Sequence, residues 1–336
     1  MTPGNDNAPP SSSGPEWPRR DGDDIPVVNT THCETGTLSW QLQPPQEALV
    51  VVVKATFDMA PDGPVTAAAE SDYPVGELNY DDGPDGSAIY PSDLAVFKPK
   101  ADVILVGHAH APGGEARGSQ VVFRFGDGEH GFERTLLVHG DRRWKRSVGG
   151  PVPTDPEPFD AIPLVYERAY GGPGYAANPC GRGHGESERM PNLEIPGHPV
   201  LSPTDKRQPA CFAPIATAWN ERWSKLGSYD RRWFETRWPY FAEDFDWSFF
   251  QSAPTELQLD HLRGDEPFAI EGVHPEHPVI RGRLAGQRPC CFALDRPEQG
   301  GALRPIALRL DTVVFDTDAM KVQLVWRGHV EVAADD

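Results

Sequence analysis

No apolar run in this sequence approaches the roughly 20 residues that a membrane-crossing helix needs, so no membrane partner is expected. The first 24 residues are rich in proline, serine, glycine and aspartate around one tryptophan, Trp17. They lack the apolar stretch of a secretory signal, and a cytoplasmic protein is expected. Cysteine is scarce and unpatterned. Cys33, Cys180, Cys211, Cys290 and Cys291 are odd in number, show no Cys-x-x-Cys spacing, and end in an adjacent pair that cannot easily bridge itself. That is the usage of a reducing compartment and not of a disulfide framework. Basic charge is short as well: 31 Lys and Arg face 50 Asp and Glu, leaving a formal charge of -19. Nucleic acid is repelled by such a surface and is not an expected partner. The same surface suits solubility, or the reception of a basic partner.

Familiar catalytic signatures are missing too. Neither Gly-x-Ser-x-Gly nor His-Glu-x-x-His occurs. Gly171-Gly-Pro-Gly174 is no phosphate cradle, because no Lys-Ser/Thr follows and the proline removes an amide donor. No catalytic residue, metal site or cofactor is therefore assigned.

Punctuation is what the chain has in excess. Its 33 glycines and 36 prolines, about a fifth of all residues, exclude long helices over most of the length. Short strands joined by long loops are the natural solution, with 9 tryptophans and 15 phenylalanines to fill the core. We expect a mainly β fold: sandwich-like antiparallel sheets in two halves with a long irregular middle. Residues 1–25 read as a disordered tail, 26–155 as an N-terminal β half, and 156–336 as the loop-rich middle and C-terminal β half of one domain. The proline-rich joint Pro151–Pro158 marks the boundary. Leu49–Phe57 is the strongest strand, buried on both faces at its start, and Ala101–Val106 is a second buried strand. One hairpin is expected from Val121, Phe123 and Phe125 returning through Arg134–Val138. Another is expected from Ile306, Leu308 and Leu310 through a polar turn at Asp316–Asp318 into Lys321–Val332, with Val322, Leu324 and Trp326 inward. One short helical turn is expected within Pro209–Trp223.

Three constellations invite chemistry. His108 and His110 share a strand face, since the strand period is two. Two imidazoles so placed can begin a metal-dependent hydrolase site, but no second half-motif accompanies them, and packing at a strand exit is the preferred reading. Cys180 and His184 share one loop, as a thiol and a base might, yet a glycine-rich tether fixes neither. Glu243, Asp244 and Asp246 lie among large aromatics, as in a carbohydrate cleft, although core packing explains the same pattern.

Several motifs recur in order along the chain: Val50-Val-Val-Val-Lys-Ala-Thr-Phe57, Ser92-Asp-Leu94, Phe97-Lys-Pro-Lys-Ala-Asp-Val103, Gly140-Asp-Arg-Arg-Trp144, Tyr166-Glu-Arg-Ala-Tyr-Gly-Gly172, Asn178-Pro-Cys-Gly-Arg-Gly183, Pro191-Asn-Leu-Glu194, Pro209-Ala-Cys-Phe-Ala-Pro-Ile215, Gly227-Ser-Tyr-Asp230 and Phe249-Phe-Gln-Ser-Ala-Pro254. Over roughly residues 25 to 330 they resemble a domain-of-unknown-function family encoded in type VI secretion clusters, beside the VgrG spike and PAAR tip genes. The resemblance implies an effector adaptor or chaperone, not an enzyme, that binds a type VI toxin effector and helps load it onto the spike and tip. The alternative is the metal-dependent hydrolase on His108 and His110. Partner contact is expected from two irregular stretches: the loop carrying Tyr170, Gly171, Gly172, Asn178 and Arg182, and the aromatic segment carrying Trp238, Tyr240 and Phe245.

Overall fold

Val50 to Val53 are all buried, so this strand is covered on both of its faces. In the computed structural model, which describes residues 27–43, 46–80, 86–185, 188–294 and 301–332, the strand Gln46–Asp58 lies between Glu34–Gln43 and Lys321–Val332. The tail expected over residues 1–25 falls outside the described residues. Arg309–Asp316, Ala101–Val106 and Gln258–Leu259 continue this seven-stranded sheet, and Thr66–Ala67 pairs off its second strand. β-Branched side chains favour such a setting because they pack well on a pleated, covered surface. A second, six-stranded sheet runs Leu193–Glu194, Phe132–His139, Gly118–Phe125, Pro267–Glu271, Val279–Arg283 and Asp62–Pro64.

The chain is mainly β, as its punctuation implies, and its only α-helices among the described residues are α1 (Asn220–Trp223) and α2 (Arg231–Thr236). Hairpins stand at both expected places, Gly118–Phe125 with Phe132–His139 and Arg309–Asp316 with Lys321–Val332. Ile306, expected in the second, instead ends a separate strand, Leu303–Ile306, paired with Cys291–Leu294, and Leu308 lies between the two strands. The sheets are not purely antiparallel: Ala101–Val106 runs parallel to Arg309–Asp316, and Val279–Arg283 parallel to Asp62–Pro64. Parallel neighbours need a long crossover, and here some 200 residues of chain intervene. Each sheet consequently takes strands from both sides of the proline-rich joint.

The sheets meet through aromatic side chains. Phe123 and Phe125 of the six-stranded sheet contact Phe315 of the other at ring-centroid distances of 5.5 and 6.0 Å, and Phe268 contacts it at 4.8 Å. Each of these buried rings contributes about 2 kcal/mol through removal from water.

A third layer covers the outer face of the seven-stranded sheet. Phe241, Trp247 and Phe250 pack against Val50, Val52, Val96 and Val325. Buried ion pairs line this side of the sheet: Lys54 Nζ to Asp93 at 2.8 Å and Lys98 Nζ to Asp102 at 2.8 Å tie strands to the loop before Ala101, and Arg327 Nε to Asp311 at 2.7 Å joins two neighbouring strands. Asp102 also accepts from Gln251 Nε2 at 2.6 Å and from the Ser252 amide at 2.9 Å. The recurring Ser92-Asp-Leu94 and Phe97–Val103 motifs thus supply charges that hold one layer to another. Beyond Val106 the strand turns out of the sheet at Gly107, whose φ is +126°. A Cβ there would come within 2.2 Å of Thr317 Oγ1, so the pivot requires glycine. His108–His110 then pairs with Ala161–Pro163 instead.

Candidate partner-binding surface

The first stretch expected to meet a partner faces inward. Tyr170, Gly171, Gly172 and Asn178 are buried, and Arg182 is half-buried. The Asn178 side-chain amide donates to the carbonyls of Tyr166 (2.8 Å) and Tyr170 (3.1 Å), closing the loop on itself. Gly171 lies so near that a Cβ would stand 2.2 Å from the Asn178 carbonyl. Arg182 Nε donates to the Glu167 carbonyl at 2.7 Å and its Nη1 to Asn192 Oδ1 at 3.3 Å. Asn192 Nδ2 in turn donates to Asp141 at 2.9 Å. That hydrogen bond, with Arg168, Arg182 and Arg189 nearby, holds the Asp141 carboxyl below the usual carboxylate range. These residues satisfy backbone groups that an irregular buried loop would otherwise leave unpaired. Tyr170, Gly171, Gly172 and Asn178, expected to meet a partner, are thus placed inside the fold, with the Tyr170 and Asn178 side chains engaged in hydrogen bonds. Beside them lies a cavity of about 330 Å³, walled by Tyr170, Leu193, Glu194, His198, Lys206 and Gln208 among others.

The second stretch divides into an inner and an outer side. Phe245, expected to meet a partner, is buried and stacked on Phe241 at 4.2 Å beside the third layer. Asp246 caps the short 3-10 turn Trp247–Phe250 by accepting from the Ser248 amide at 2.8 Å. The preceding residues project outward. Asp230 caps α2 by accepting from the Trp233 amide at 2.9 Å, and Trp233 Nε1 donates to the Tyr240 carbonyl at 2.8 Å. Arg222, buried, ties α1 down through the carbonyls of Phe249 (2.9 Å) and Ile215 (3.0 Å) and the Glu77 carboxylate (3.1 Å). Gly227 has φ +80°, and a Cβ there would press on Asp244 at 2.6 Å, which fixes the sharp entry into the α2 turn.

An amphipathic helix buries one stripe, yet α2 buries no residue while carrying Trp233 and Phe234. Phe234 is 66% exposed, Trp238 63%, Trp223 59% and Tyr229 42%. Tyr229 and Trp233 meet edge to face at 4.7 Å, Trp233 and Trp238 at 5.6 Å, and Phe234 lies 6.4 Å from Trp238. The result is a continuous aromatic ledge anchored from beneath by capped turns. Sequence reading reached Trp238 and Tyr240 but missed Tyr229, Phe234 and Trp223. The signal was present in Asp230, a helix N-cap followed by too short a helix to have a buried stripe.

The remaining constellations do not converge. His108 Nδ1 lies 2.7 Å from Asp318 Oδ2, and the His110 ring is 6.5 Å from that of His108. Among the described residues no three His, Cys, Asp or Glu side chains are grouped to hold a metal ion. Cys180 Sγ donates to Asn178 Oδ1 at 3.3 Å while His184 Nδ1 faces the Tyr170 hydroxyl at 3.1 Å, so thiol and imidazole turn to different partners. Burial drives the Cys180 thiol up and pushes that of Cys211 up to about 12. Asp244 accepts from the Ser228 amide and hydroxyl, both at 2.8 Å, and Glu243 reaches Arg232 at 3.8 Å. Asp244 and Glu243 thus reach back to Ser228 and Arg232, and Asp246 caps its own turn.

No helix among the described residues is long and apolar enough to cross a membrane. The family described as "Uncharacterized protein conserved in bacteria (DUF2169)" matches residues 45–327. No curated protein and no solved structure matches the chain.

Proposed function

We propose that this chain, which belongs to the DUF2169 family of uncharacterized conserved bacterial proteins, is a protein-binding adaptor that docks its partner on the aromatic ledge. One observation carries the reading. A capped helix with no fully buried residue holds Phe234 toward solvent beside a half-buried Trp233, and Trp238 stands exposed on the following turn. Contiguous exposed aromatics of this kind mark interaction sites, and Trp and Tyr dominate binding energy where they become desolvated. Their support is rigid: the ledge rides on a layer that is itself packed on the seven-stranded sheet. Little conformational entropy is lost when a surface so held is covered.

The cargo we propose is a type VI secretion toxin, carried toward a VgrG spike or PAAR tip. What supports this finer reading is the ordered run of motifs in the sequence. The acidic surface, at a formal -19, would also speed capture of a basic toxin domain. The test is co-expression with the toxin encoded beside this protein, followed by co-purification and the toxin's half-life with and without the adaptor. A stable complex and a toxin that disappears without it are expected. A soluble, long-lived toxin that never binds would overturn the reading.

A further inference from the structure

Cations in this chain are mostly spoken for. Lys54, Lys98, Arg222 and Arg327 sit in buried ion pairs, and Arg124 joins Glu133 and Glu271 at the surface. Arg143, Lys145 and Arg146 differ: among the described residues their side chains make no ion pair or hydrogen bond. All three are exposed. Lys145 and Arg146 lie on a two-stranded ribbon, Trp144–Ser147 paired with Gly150–Pro153, opposite Val152 and Pro151, and Arg143 immediately precedes it. Neighbouring side chains on a strand alternate between faces, so both faces of the ribbon are cationic. Val148 at its tip is fully exposed. At the root, Arg168 (3.2 Å) and Arg182 (3.8 Å) converge on the single carboxylate of Asp141, which also feels Arg189. Glu188, Asp155 and Glu157 stay near that root, and no carboxylate occurs from Lys145 to Pro153.

We propose that this ribbon is a second docking surface, for an acidic segment of a protein partner. Its charge is opposite to that of the molecule as a whole. An acidic partner is repelled over most of the surface and is drawn to this element, where cations unpaired among the described residues gather. A strand of four residues spans only about 13 Å. That reach fits a short acidic segment. Duplex DNA, with a charge about every 1.7 Å along its whole length, would run past the ribbon onto the acidic body. The ribbon is distinct from the aromatic ledge and does not depend on the ledge's role.

The test uses the full chain and a fluorescein-labelled peptide of ten glutamates, read by fluorescence anisotropy at about 0.1 M salt, where charges beyond about 10 Å are largely screened. Wild-type protein should bind and release the peptide as salt is raised. Arg143→Glu/Lys145→Glu/Arg146→Glu should bind about tenfold more weakly, since three surface pairs of modest strength are reversed. The charge-matched control Arg281→Glu/Arg288→Glu/Lys206→Glu should stay within about twofold of wild type, and Phe234→Ala/Trp238→Ala should leave peptide binding unchanged. Thermal melting verifies the fold of each variant. Should the reversed ribbon fail to fold, Arg143→Gln/Lys145→Gln/Arg146→Gln must show weakening in the same direction. The proposal is overturned by absence of binding to wild type, by equal weakening in ribbon and control variants, or by a duplex oligonucleotide that binds more tightly than the peptide.

Discussion

The loop from Tyr170 to Gly183 and the ledge from Tyr229 to Trp238 look alike as sequence: irregular, without a helical or strand period, and marked by glycine or aromatic residues. In the fold they face opposite ways. The loop is closed by Asn178, whose amide spans two carbonyls, and by Arg182, which reaches Glu167 and Asn192. The ledge satisfies its own backbone through the Asp230 cap and the Trp233 indole, and leaves its rings outside. A polar side chain with several donors next to glycine is a device for folding a loop inward. An aromatic side chain on a self-capped turn has no such inward demand.

That contrast breaks most sharply through stability. Lys98→Ala strands the buried Asp102 carboxylate beneath the ledge's supporting layer, and we expect a loss of about 4 kcal/mol in urea unfolding. Asn178→Ala removes two buried hydrogen bonds, to the carbonyls of Tyr166 and Tyr170, and should cost about 2 kcal/mol. Phe234→Ala/Trp238→Ala should shift stability by no more than about 0.5 kcal/mol, as expected for exposed sites. A ledge variant that unfolds as readily as Asn178→Ala would erase the distinction between the two regions.

Thiol labelling sharpens the same comparison without mutation. Cys290 is exposed, whereas Cys180 is half-buried within the loop and Cys211 is buried with its thiol pushed up to about 12. Native protein treated with a thiol reagent at neutral pH should modify Cys290 first and Cys211 only on unfolding. Mass spectrometry of the labelled peptides reads the order, and early labelling of Cys180 would mean that the loop opens. The smallest effect expected is on pH dependence at His110, a reporter away from both regions. Burial lowers its pKa from 6.5, against the opposing pull of Asp318, while the charges of His108 and His274 add to the lowering. The unfolded chain then takes up the proton first, so stability should fall as pH drops through 6.5 toward the folded value and level off below it. Unfolding curves of wild type and His110→Gln across that window check the sign.

Strands were legible where composition and period agree. Leu49–Phe57 and the first hairpin carry β-branched or alternating apolar residues between turn signals and fold as read, while the second hairpin begins only at Arg309, past Ile306 and Leu308. The parallel pairing of Ala101–Val106 with Arg309–Asp316 was not legible, because no local signal reports a neighbour some 200 residues away. At the candidate site, Trp238 was found because an aromatic-rich segment attracts notice. The burial of Tyr170, Asn178 and Phe245 was not legible, because sequence shows a side chain's chemistry but not which way a turn presents it. Phe234 escaped because its meaning depends on the length of α2, which ends at Thr236, one turn too short to bury a stripe.

The central claim is that the ledge binds and the loop folds. Titration of the purified neighbour-encoded toxin into wild type and Phe234→Ala/Trp238→Ala, at matched melting temperatures, tests it directly. The account predicts affinity at least about tenfold weaker in the variant, the loss expected when hot-spot aromatics are truncated. An unchanged affinity in a folded variant would contradict it.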